Sequence, residues 1–429
     1  MRKLLIASII CFVIALVSLV FLVDGWSAEI VRLDFTTENL TDSKGNLTAG
    51  ALARASEATY IDSNGVLQTA AVDVPRFTAD GLLIEGAGTN VIPYSEDFTQ
   101  WTASNITDVL DISGPDNGVS NATTLTATAA NGTIKYASIA TAGAIQTFSV
   151  WMKRITGAGN IDMTVDDGGT WATKTLTTSW QRFDISGTEA NTIAGIRIVV
   201  DTDAIGIFGA DLKEQNYLSS YVPTDGSPVA RATEAGETGV SGYSWTMGAN
   251  LKNILSNALP GGAATPAIGT LVVKWKALQD YNAVDTNNRG LVSVSNASVN
   301  FTYFGGTEGQ IYGWDGTNNP RLIVNWSKDD DLITVTRWDD TADGAAGYFH
   351  FSNKKNAVWD LNAGNEFAFD GVFPIGTDFW LNYTNELPIA IESITIYDTY
   401  MTIMPNIITV DTDIITVGVN TMELSIERE

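Results

Sequence analysis

Alternating apolar and polar positions run through most of the chain after its first hydrophobic segment. In one such run Phe148, Val150 and Met152 fall on one side of a strand and Trp151 falls on the other. Segment 271–276 alternates in the same way, and clusters of Gly, Asn, Asp and Thr separate the runs. A period of two residues between turn-forming clusters is typical of antiparallel sheets with a buried face. We therefore predict an all-β chain of tandem antiparallel β-sandwiches.

The amino-terminal segment follows a different pattern. Arg2 and Lys3 precede an apolar run over residues 4–23, and Asp24 follows it. This arrangement predicts an N-terminal hydrophobic helix that directs export and leaves the rest of the chain outside the cytoplasm. Two interpretations stay open: residues 1–28 are a cleaved signal peptide, or they are a signal anchor whose apolar run spans the membrane. Either interpretation predicts a location outside the cell, on its surface or on a virion.

Changes in composition divide the remainder of the chain. Pro223 and Pro228 stand among small polar residues, which marks a boundary between two strand-rich blocks. Segment 251–259 departs from the strand pattern because its leucines have helical spacing, and it predicts a short helix. The predicted parts are a turn-rich β leader at 29–94, a first sandwich at 95–225, a linker at 226–234, a second sandwich at 235–400 and a C-terminal β tail at 401–429.

Composition and charge narrow the range of functions. The chain has 24 basic and 49 acidic residues, for a net charge of −25. A protein that binds phosphates needs a basic surface to displace counterions, so this balance argues against nucleic acid as a partner. The single cysteine, Cys11, lies in the apolar run, and His350 is the single histidine. These counts exclude disulfides and cysteine-based zinc sites from the exported part of the chain.

Short signatures in the leader and beyond carry a resemblance to a known group of proteins. In chain order they are Arg54-Ala55, Ala58-Thr59-Tyr60, Val74-Pro75-Arg76-Phe77, Gly81-Leu82-Leu83-Ile84-Glu85, Tyr94-Ser95, Ser179-Trp180-Gln181-Arg182-Phe183 and Ser220-Tyr221-Val222-Pro223-Thr224. This order resembles phage and prophage structural proteins of the head-spike and tail-fibre types. The resemblance implies that the first sandwich is a jelly roll like those of carbohydrate-binding modules. The block at 235–400 is similar to concanavalin A-like or laminin G-like sandwiches.

The resemblance directs attention to aromatic side chains as sugar-binding platforms. Trp151 lies opposite the apolar side of its strand, and Trp171 follows two aspartates. A later segment combines two aromatic rings with a carboxylate and amides. The carbohydrate-binding candidates are Trp151, Trp171, Tyr312, Trp314, Asp315 and Asn318. For each of them an ordinary place in a core or a turn is the alternative.

One acidic loop suggests a metal site. Asp339 and Asp343 stand at alternate positions before Gly344, as oxygen ligands do at the start of a calcium loop. His350 occupies the twelfth position, where an EF-hand needs a bidentate glutamate, so a complete EF-hand is excluded. A structural calcium site and a plain acidic turn both remain open, and no other cofactor is predicted.

Catalytic patterns are weak. Glu366 and Asp370 would share a strand face, but Phe367 and Phe369 alternate with them, which indicates a solvated face opposite a core. His350 lies between two phenylalanines, a setting typical of a structural histidine. We therefore expect a non-catalytic recognition or adhesion protein that binds a cell-surface or extracellular glycan. The alternatives are a spike, fibre or surface-assembly subunit that forms homo-oligomers without binding glycan, and a glycoside hydrolase or polysaccharide lyase.

Overall fold

The structure is a computed structural model, and it describes most of the chain in separate ranges. They are 29–137, 143–188, 193–234, 242–247, 268–280, 289–294, 299–304, 310–314, 321–323, 326–339, 348–353, 358–362, 378–383, 389–397, 408–410 and 413–415. Apart from two single-turn 3-10 helices, Phe35–Thr37 and Phe98–Gln100, the regular structure in these ranges is β-strand. This confirms the prediction of an all-β chain. The predicted N-terminal helix and the predicted helix at 251–259 lie outside the described residues.

The leader contributes seven short strands. They are β1 (Glu29–Asp34), β2 (Leu47–Ala53), β3 (Ala58–Ile61), β4 (Leu67–Ala70), β5 (Phe77–Thr78), β6 (Gly81–Ile84) and β7 (Gly88–Asn90). Strands β3 and β4 form a hairpin of their own, in which Ala58 pairs with Ala70. The turn of this hairpin carries Asp62 and Gly65, and Gly65 has a φ of +79° that suits glycine.

The first sandwich is built from one continuous part of the chain. Its strands are β8 (Thr102–Ser104), β9 (Ile106–Ile112), β10 (Ala122–Ala127), β11 (Gly132–Ala137), β12 (Ile145–Thr156), β13 (Ile161–Thr164), β14 (Ala172–Lys174), β15 (Gln181–Thr188), β16 (Ile193–Ile198) and β17 (Ala204–Lys213). They form two five-stranded antiparallel sheets, with the orders β15-β12-β17-β10-β9 and β14-β13-β16-β11-β8. One apolar core between them draws on both sheets, for example Val150 from the first and Ile196 from the second.

The remaining strands follow the first sandwich in the sequence. They are β18 (Val229–Arg231), β19 (Gly242–Met247), β20 (Ile268–Ala277), β21 (Arg289–Val294), β22 (Val299–Phe304), β23 (Gln310–Trp314), β24 (Arg321–Ile323), β25 (Asp331–Asp339), β26 (Tyr348–Asn353), β27 (Val358–Asn362), β28 (Asp378–Tyr383), β29 (Ile389–Tyr397), β30 (Ile408–Val410) and β31 (Asp413–Ile415). Strands β30 and β31 pair as a hairpin in the C-terminal tail. Strand β18 lies inside the predicted linker and pairs with β7 of the leader.

The second sandwich combines strands from both ends of the described chain. Its eight-stranded sheet has the order β27-β26-β25-β20-β29-β6-β5, and β1 pairs with β29. Its seven-stranded sheet has the order β2-β19-β28-β21-β22-β23-β24. Val31 is thus paired with Ile396, and Leu47 with Met247. The leader therefore completes the second sandwich, and the first sandwich is inserted between the two parts of it.

Within the described ranges, no helix has both the length and the apolar character that a bilayer span requires.

Candidate functional site

Strand β12 is buried on both of its faces over most of its length. Phe148, Val150 and Met152 point into the core of the first sandwich and are 0% exposed. On the opposite face Trp151 meets the ring of Tyr221 at a centroid distance of 5.3 Å and an interplanar angle of 82°. The centroid of the Phe208 ring lies 6.2 Å from that of Trp151, and these two rings also meet edge to face. The strand alternation thus predicts the direction of Trp151, and an aromatic cluster covers that side.

A bulge in the neighbouring strand makes room for this cluster. The pairing of β12 with β17 shifts between Ser149, which faces Asp211, and Trp151, which faces Phe208. Gly209 lies inside the shift with a φ of +62°. A Cβ atom at Gly209 would stand 3.0 Å from two ring carbons of Trp151. A glycine is therefore required here, both for its backbone conformation and for the close approach of the indole.

A buried ionic network ties the leader to the segment that leaves the first sandwich. The Glu234 carboxylate accepts a hydrogen bond from Arg54 Nη1 at 2.6 Å and one from Arg76 Nε at 2.7 Å. Arg76 Nη2 also donates to Glu85 Oε2 at 2.9 Å. The side chains of Arg54, Arg76 and Glu234 are 0% exposed. Residues far apart in the sequence are thus joined by charge-assisted hydrogen bonds away from water.

The electrostatics of this network favour its charged form. Burial alone would raise the pKa of Glu85, but the charges of Arg231 and Arg76 outweigh it and hold that pKa well below its ordinary value. Burial would likewise lower the pKa of Arg76, yet Glu234 and Glu85 raise it above its ordinary value. Glu85 also accepts a hydrogen bond from the backbone N–H of Ser220 at 2.8 Å. Glu85 and Arg76 are therefore ionised at neutral pH, and Glu85 fixes the segment around Ser220.

A second buried group of charges lies beside the aromatic cluster. Lys213 Nζ donates to Asp211 Oδ2 at 2.7 Å and to Ser219 Oγ at 3.0 Å. Arg182 Nη2 donates to the same Asp211 oxygen at 3.0 Å, and the Arg182 guanidinium lies 4.6 Å from the centre of the Trp151 ring. Burial lowers the pKa of Lys213 to about 8, although Asp211 partly offsets this effect. Burial also lowers the pKa of Arg182.

These two networks hold the walls of a cleft with a volume of about 310 Å³. Three parts of the chain line it: the leader between Thr59 and Glu85, the first sandwich with its exit segment 218–221, and Leu278 and Ala390 of the second sandwich. Its volume lies near the lower end of the range of small-molecule pockets, about 300–1,000 Å³. Such a junction of domains is a common place for a ligand site.

The exposed surface of the cleft wall is mainly apolar, and aliphatic side chains make up a large part of it. Ile61 of the leader hairpin is 37% exposed, which is unusual for a large apolar residue in a confined site. Leu218 and Leu278 are half-buried and line the cleft from the first and second sandwich respectively. Leu83 and Ala390 lie deeper and are buried. The cleft therefore offers a ligand an apolar surface to which water is weakly attracted.

Polar groups at the cleft come mainly from the leader. Burial, together with the charge of Asp62, raises the pKa of Tyr60, so its hydroxyl stays protonated and can donate a hydrogen bond. The backbone N–H of Val66 donates to Asp62 at 2.9 Å and lowers the pKa of that carboxyl, which is ionised at neutral pH. Asp80 pairs with Lys276 of the second sandwich. An aromatic ring, a hydroxyl and two carboxylates thus adjoin the aliphatic wall.

The two tryptophan candidates of the first sandwich occupy different places. Trp151 lines the cleft but is only 4% exposed, because Tyr221 and Arg182 pack against its ring. Trp171 is half-buried beside β14, on the other sheet, with the Arg197 guanidinium 4.4 Å and Lys135 Nζ 5.7 Å from its ring centre. The structure does not bring the two rings to one site, and a role of either in sugar binding stays a prediction.

The remaining candidates lie in the second sandwich or outside the described residues. Tyr312 and Trp314 belong to β23 of the seven-stranded sheet, whereas Asp315 and Asn318 are not described. Asp339 is the last residue of β25, and Asp343 lies outside the described residues. Structural calcium at these aspartates therefore stays a prediction. In the described ranges no three His, Cys, Asp or Glu side chains stand close enough together to hold a metal ion.

The residues considered for catalysis are only partly described. His350 lies in β26, where its backbone pairs with Val335 of β25. Glu366 and Asp370 fall outside the described residues.

Of the residues that line the cleft, Trp151 is the one that the sequence analysis names as a carbohydrate-binding candidate. The turn signals Asp62 and Gly65 predict a hairpin, but no local pattern indicates that this hairpin stands beside Leu218 and Leu278. Those residues come from three distant segments, and their meeting depends on the pairing of β6 with β29. The resemblance to phage structural proteins is the one sequence feature that links the leader to the exit segment.

Comparisons with known proteins give no family for this chain. No family model matches it, and no curated protein matches it. Among solved structures, it is similar to the N-terminal CBM22-1-CBM22-2 tandem domain from Paenibacillus barcinonensis Xyn10C, at 9% identity and a TM-score of 0.22, over 72% of this chain and 97% of that one. It is also similar to truncated AlyQ with CBM32 and alginate lyase domains, at 12% identity and a TM-score of 0.21, over 74% and 98%. At these TM-scores the likeness does not define a fold, and the chain is classed as a two-sandwich β protein from its own strands.

Proposed function

We propose that the chain is a non-catalytic recognition or adhesion protein that binds carbohydrate in the cleft between its two sandwiches. The observation that carries this proposal is the lining of the cleft, which joins the ring and hydroxyl of Tyr60 to an aliphatic wall and the Asp62 carboxylate. A pyranose has an apolar face of C–H groups and a rim of hydroxyls, and such a lining complements both. The buried networks keep the walls preorganised, which lowers the entropic cost of binding.

The test is binding of the purified full-length chain to a glycan array, followed by calorimetry with the best ligand. We expect Tyr60→Ala to weaken binding about tenfold or more, since it removes the ring and the hydroxyl together. Tyr60→Phe keeps the ring and should lose less. Trp171→Ala, on the other sheet, serves as the control and should leave cleft binding unchanged. Retention of full affinity by Tyr60→Ala, or binding that depends on Trp171 alone, would move the site away from the cleft.

A second function, assembly with other copies of the chain, is favoured by one edge of the first sandwich. Strand β9 ends a five-stranded sheet, and its Val109 and Leu110 are 53% and 61% exposed. An unpaired edge with exposed apolar side chains can pair with another chain. Mass photometry of the full-length chain tests this function. Ordered oligomers that Val109→Lys dissolves, together with an empty glycan array, would favour a spike, fibre or surface-assembly subunit.

The location of the protein is part of the same proposal. Export through residues 1–28 would place both sandwiches outside the cytoplasm, on a cell surface, on a virion or free in the medium. N-terminal sequencing of the mature protein from its producing cells distinguishes a cleaved signal peptide from an anchor. Recovery of the intact chain from the cytoplasm would contradict export.

A further inference from the structure

We infer that the cleft selects an uncharged sugar residue that carries a methyl group, such as a 6-deoxyhexose, and that it disfavours a uronate. This inference rests on the proposed function and specifies the ligand of the same site. It follows from two features of the lining: the chemistry of the wall and the balance of charges.

The wall of the cleft lacks partners for a polar substituent at several positions. Ile61, Leu218 and Leu278 come from three different parts of the chain, and the buried Leu83 and Ala390 belong to the same lining. None of these side chains can donate or accept a hydrogen bond. A hydroxymethyl group placed against them would lose its water without replacement, whereas a methyl group would lose nothing. The aliphatic wall therefore favours CH₃ over CH₂OH on a bound sugar.

Among the described side chains that line the cleft, negative charges outnumber positive ones. Asp62, Asp80 and Glu85 are among its lining residues, and Arg182 carries the positive charge among the described residues that line it. Arg182 is not available to a ligand, because Nη2 donates to Asp211 at 3.0 Å and Nη1 to the Ser219 carbonyl at 2.7 Å. Its Nε, which has no hydrogen-bond partner among the described groups, is buried out of contact with solvent.

The lysines beside the cleft do not change this balance. Lys213, which donates to Ser219 Oγ at 3.0 Å, is paired with Asp211 at 2.7 Å. Lys276 pairs with Asp80 and lies 4.0 Å from Asp331, so its charge is shared between two carboxylates. A ligand carboxylate would therefore meet like charges and find no free cation among the described lining residues.

A series of three methyl glycosides tests both features because its members differ only at carbon 6. D-Fucose carries CH₃ there, D-galactose carries CH₂OH and D-galacturonate carries a carboxylate. Saturation-transfer NMR and competition titrations with the full-length chain measure their relative affinities. We expect D-fucose to bind roughly tenfold more tightly than D-galactose, and D-galacturonate to bind most weakly.

Variants assign these preferences to the cleft. Leu218→Asn places an amide in the wall and should reduce the preference for D-fucose to about threefold or less; Leu278→Asn, on the second sandwich, gives an independent test if the first variant folds poorly. Leu110→Asn, on the exposed strand β9, is the matched control and should keep the preference. Asp62→Asn should narrow the gap between D-galactose and D-galacturonate, whereas Asp108→Asn, on β9, should not.

The outcomes separate this inference from the proposed function. Equal binding of all three glycosides, or tightest binding of D-galacturonate, in a manner that Tyr60→Ala abolishes, would overturn the inference and leave carbohydrate binding in the cleft intact. Absence of binding by every sugar on the array would overturn the proposed function, and the inference with it.

Discussion

The two faces of β12 differ in how they are buried. On one face, Phe148, Val150 and Met152 meet other hydrocarbon groups in the core of the first sandwich. On the other face, Trp151 lies among Tyr221, Phe208 and the Arg182 guanidinium, with the ionic networks close by. Both faces exclude water, but hydrocarbon contacts are non-directional, whereas buried ions need particular partners at particular distances. The core face therefore supplies stability, and the aromatic and ionic face determines which segments may cover it.

The two faces should differ most in the unfolding free energy that a near-isosteric substitution costs. We expect Glu234→Gln to lower the free energy of unfolding by about 3–5 kcal/mol, because Arg54 and Arg76 would remain buried without full compensation of charge. Met152→Leu, in the core, should cost less than about 1.5 kcal/mol. Urea denaturation of both variants, followed by tryptophan fluorescence, measures the difference. Similar losses from the two substitutions would show that partner identity matters no more on the ionic face than in the core.

An intermediate effect should appear in acid, where the buried Glu85 and the partly buried Glu96 make contributions of opposite sign to stability. The pKa of Glu85 in the folded chain lies well below its ordinary value of 4.5. Its stabilising contribution is thus complete above about pH 4.5 and is lost as the pH falls toward the folded pKa. Burial instead raises the pKa of Glu96, which accepts a hydrogen bond from Tyr221. That group costs stability at neutral pH, and the cost disappears on acidification.

Two amide variants measure these opposite contributions. Glu85→Gln should destabilise the chain at pH 7 and flatten the loss of stability between about pH 5 and 3. Glu96→Gln should leave the stability at pH 7 unchanged or raise it, and should steepen the acid loss. Urea midpoints at each pH provide the measurement. An identical acid profile for both variants would contradict the opposite signs.

A smaller effect on stability is expected at alkaline pH, and it comes from Lys213. Burial lowers the pKa of Lys213 from 10.5 to about 8, so the unfolded chain binds more protons between these values. Its contribution to stability therefore rises as the pH increases from about 8 toward 10. Lys213→Met should remove this rise, while Arg182 still pairs with Asp211. Thermal melts at pH 7, 8 and 9.5 follow the slope, and a fall in stability of the native chain across this window would contradict the assignment.

Local sequence patterns predict the strands and the directions of their side chains, but they do not predict which segments pack over each sheet face. The alternation around Trp151 correctly places this ring opposite Phe148, because side-chain direction follows from a period of two. The cover over Trp151 comes from Tyr221 and from Leu67 of the leader hairpin, which are distant in sequence. Tyr221 and Leu67 reach Trp151 through tertiary contacts, and such contacts produce no periodic pattern in the sequence of either segment.

The candidate site illustrates the same limit. The sequence favours tryptophans as sugar-binding platforms. In the structure, however, Trp151 is buried and the Trp171 ring is stacked against the Arg197 guanidinium. The cleft is lined instead by ordinary residues such as Leu218 and Leu278, whose value arises only where separate segments meet. The low charge and turn-rich composition of residues 226–234 likewise gave no hint of the buried Glu234.

The pairing of β1 with β29 has a consequence for biosynthesis. Strand β1 leaves the ribosome long before β29, and the whole first sandwich is translated between them. The first sandwich has a core of its own and can close early, while the leader strands wait with unpaired backbone edges. The nascent chain is then most vulnerable to aggregation, and the excess of acidic residues helps to keep neighbouring nascent chains apart. Translation pauses after residue 213 would prolong this vulnerable interval.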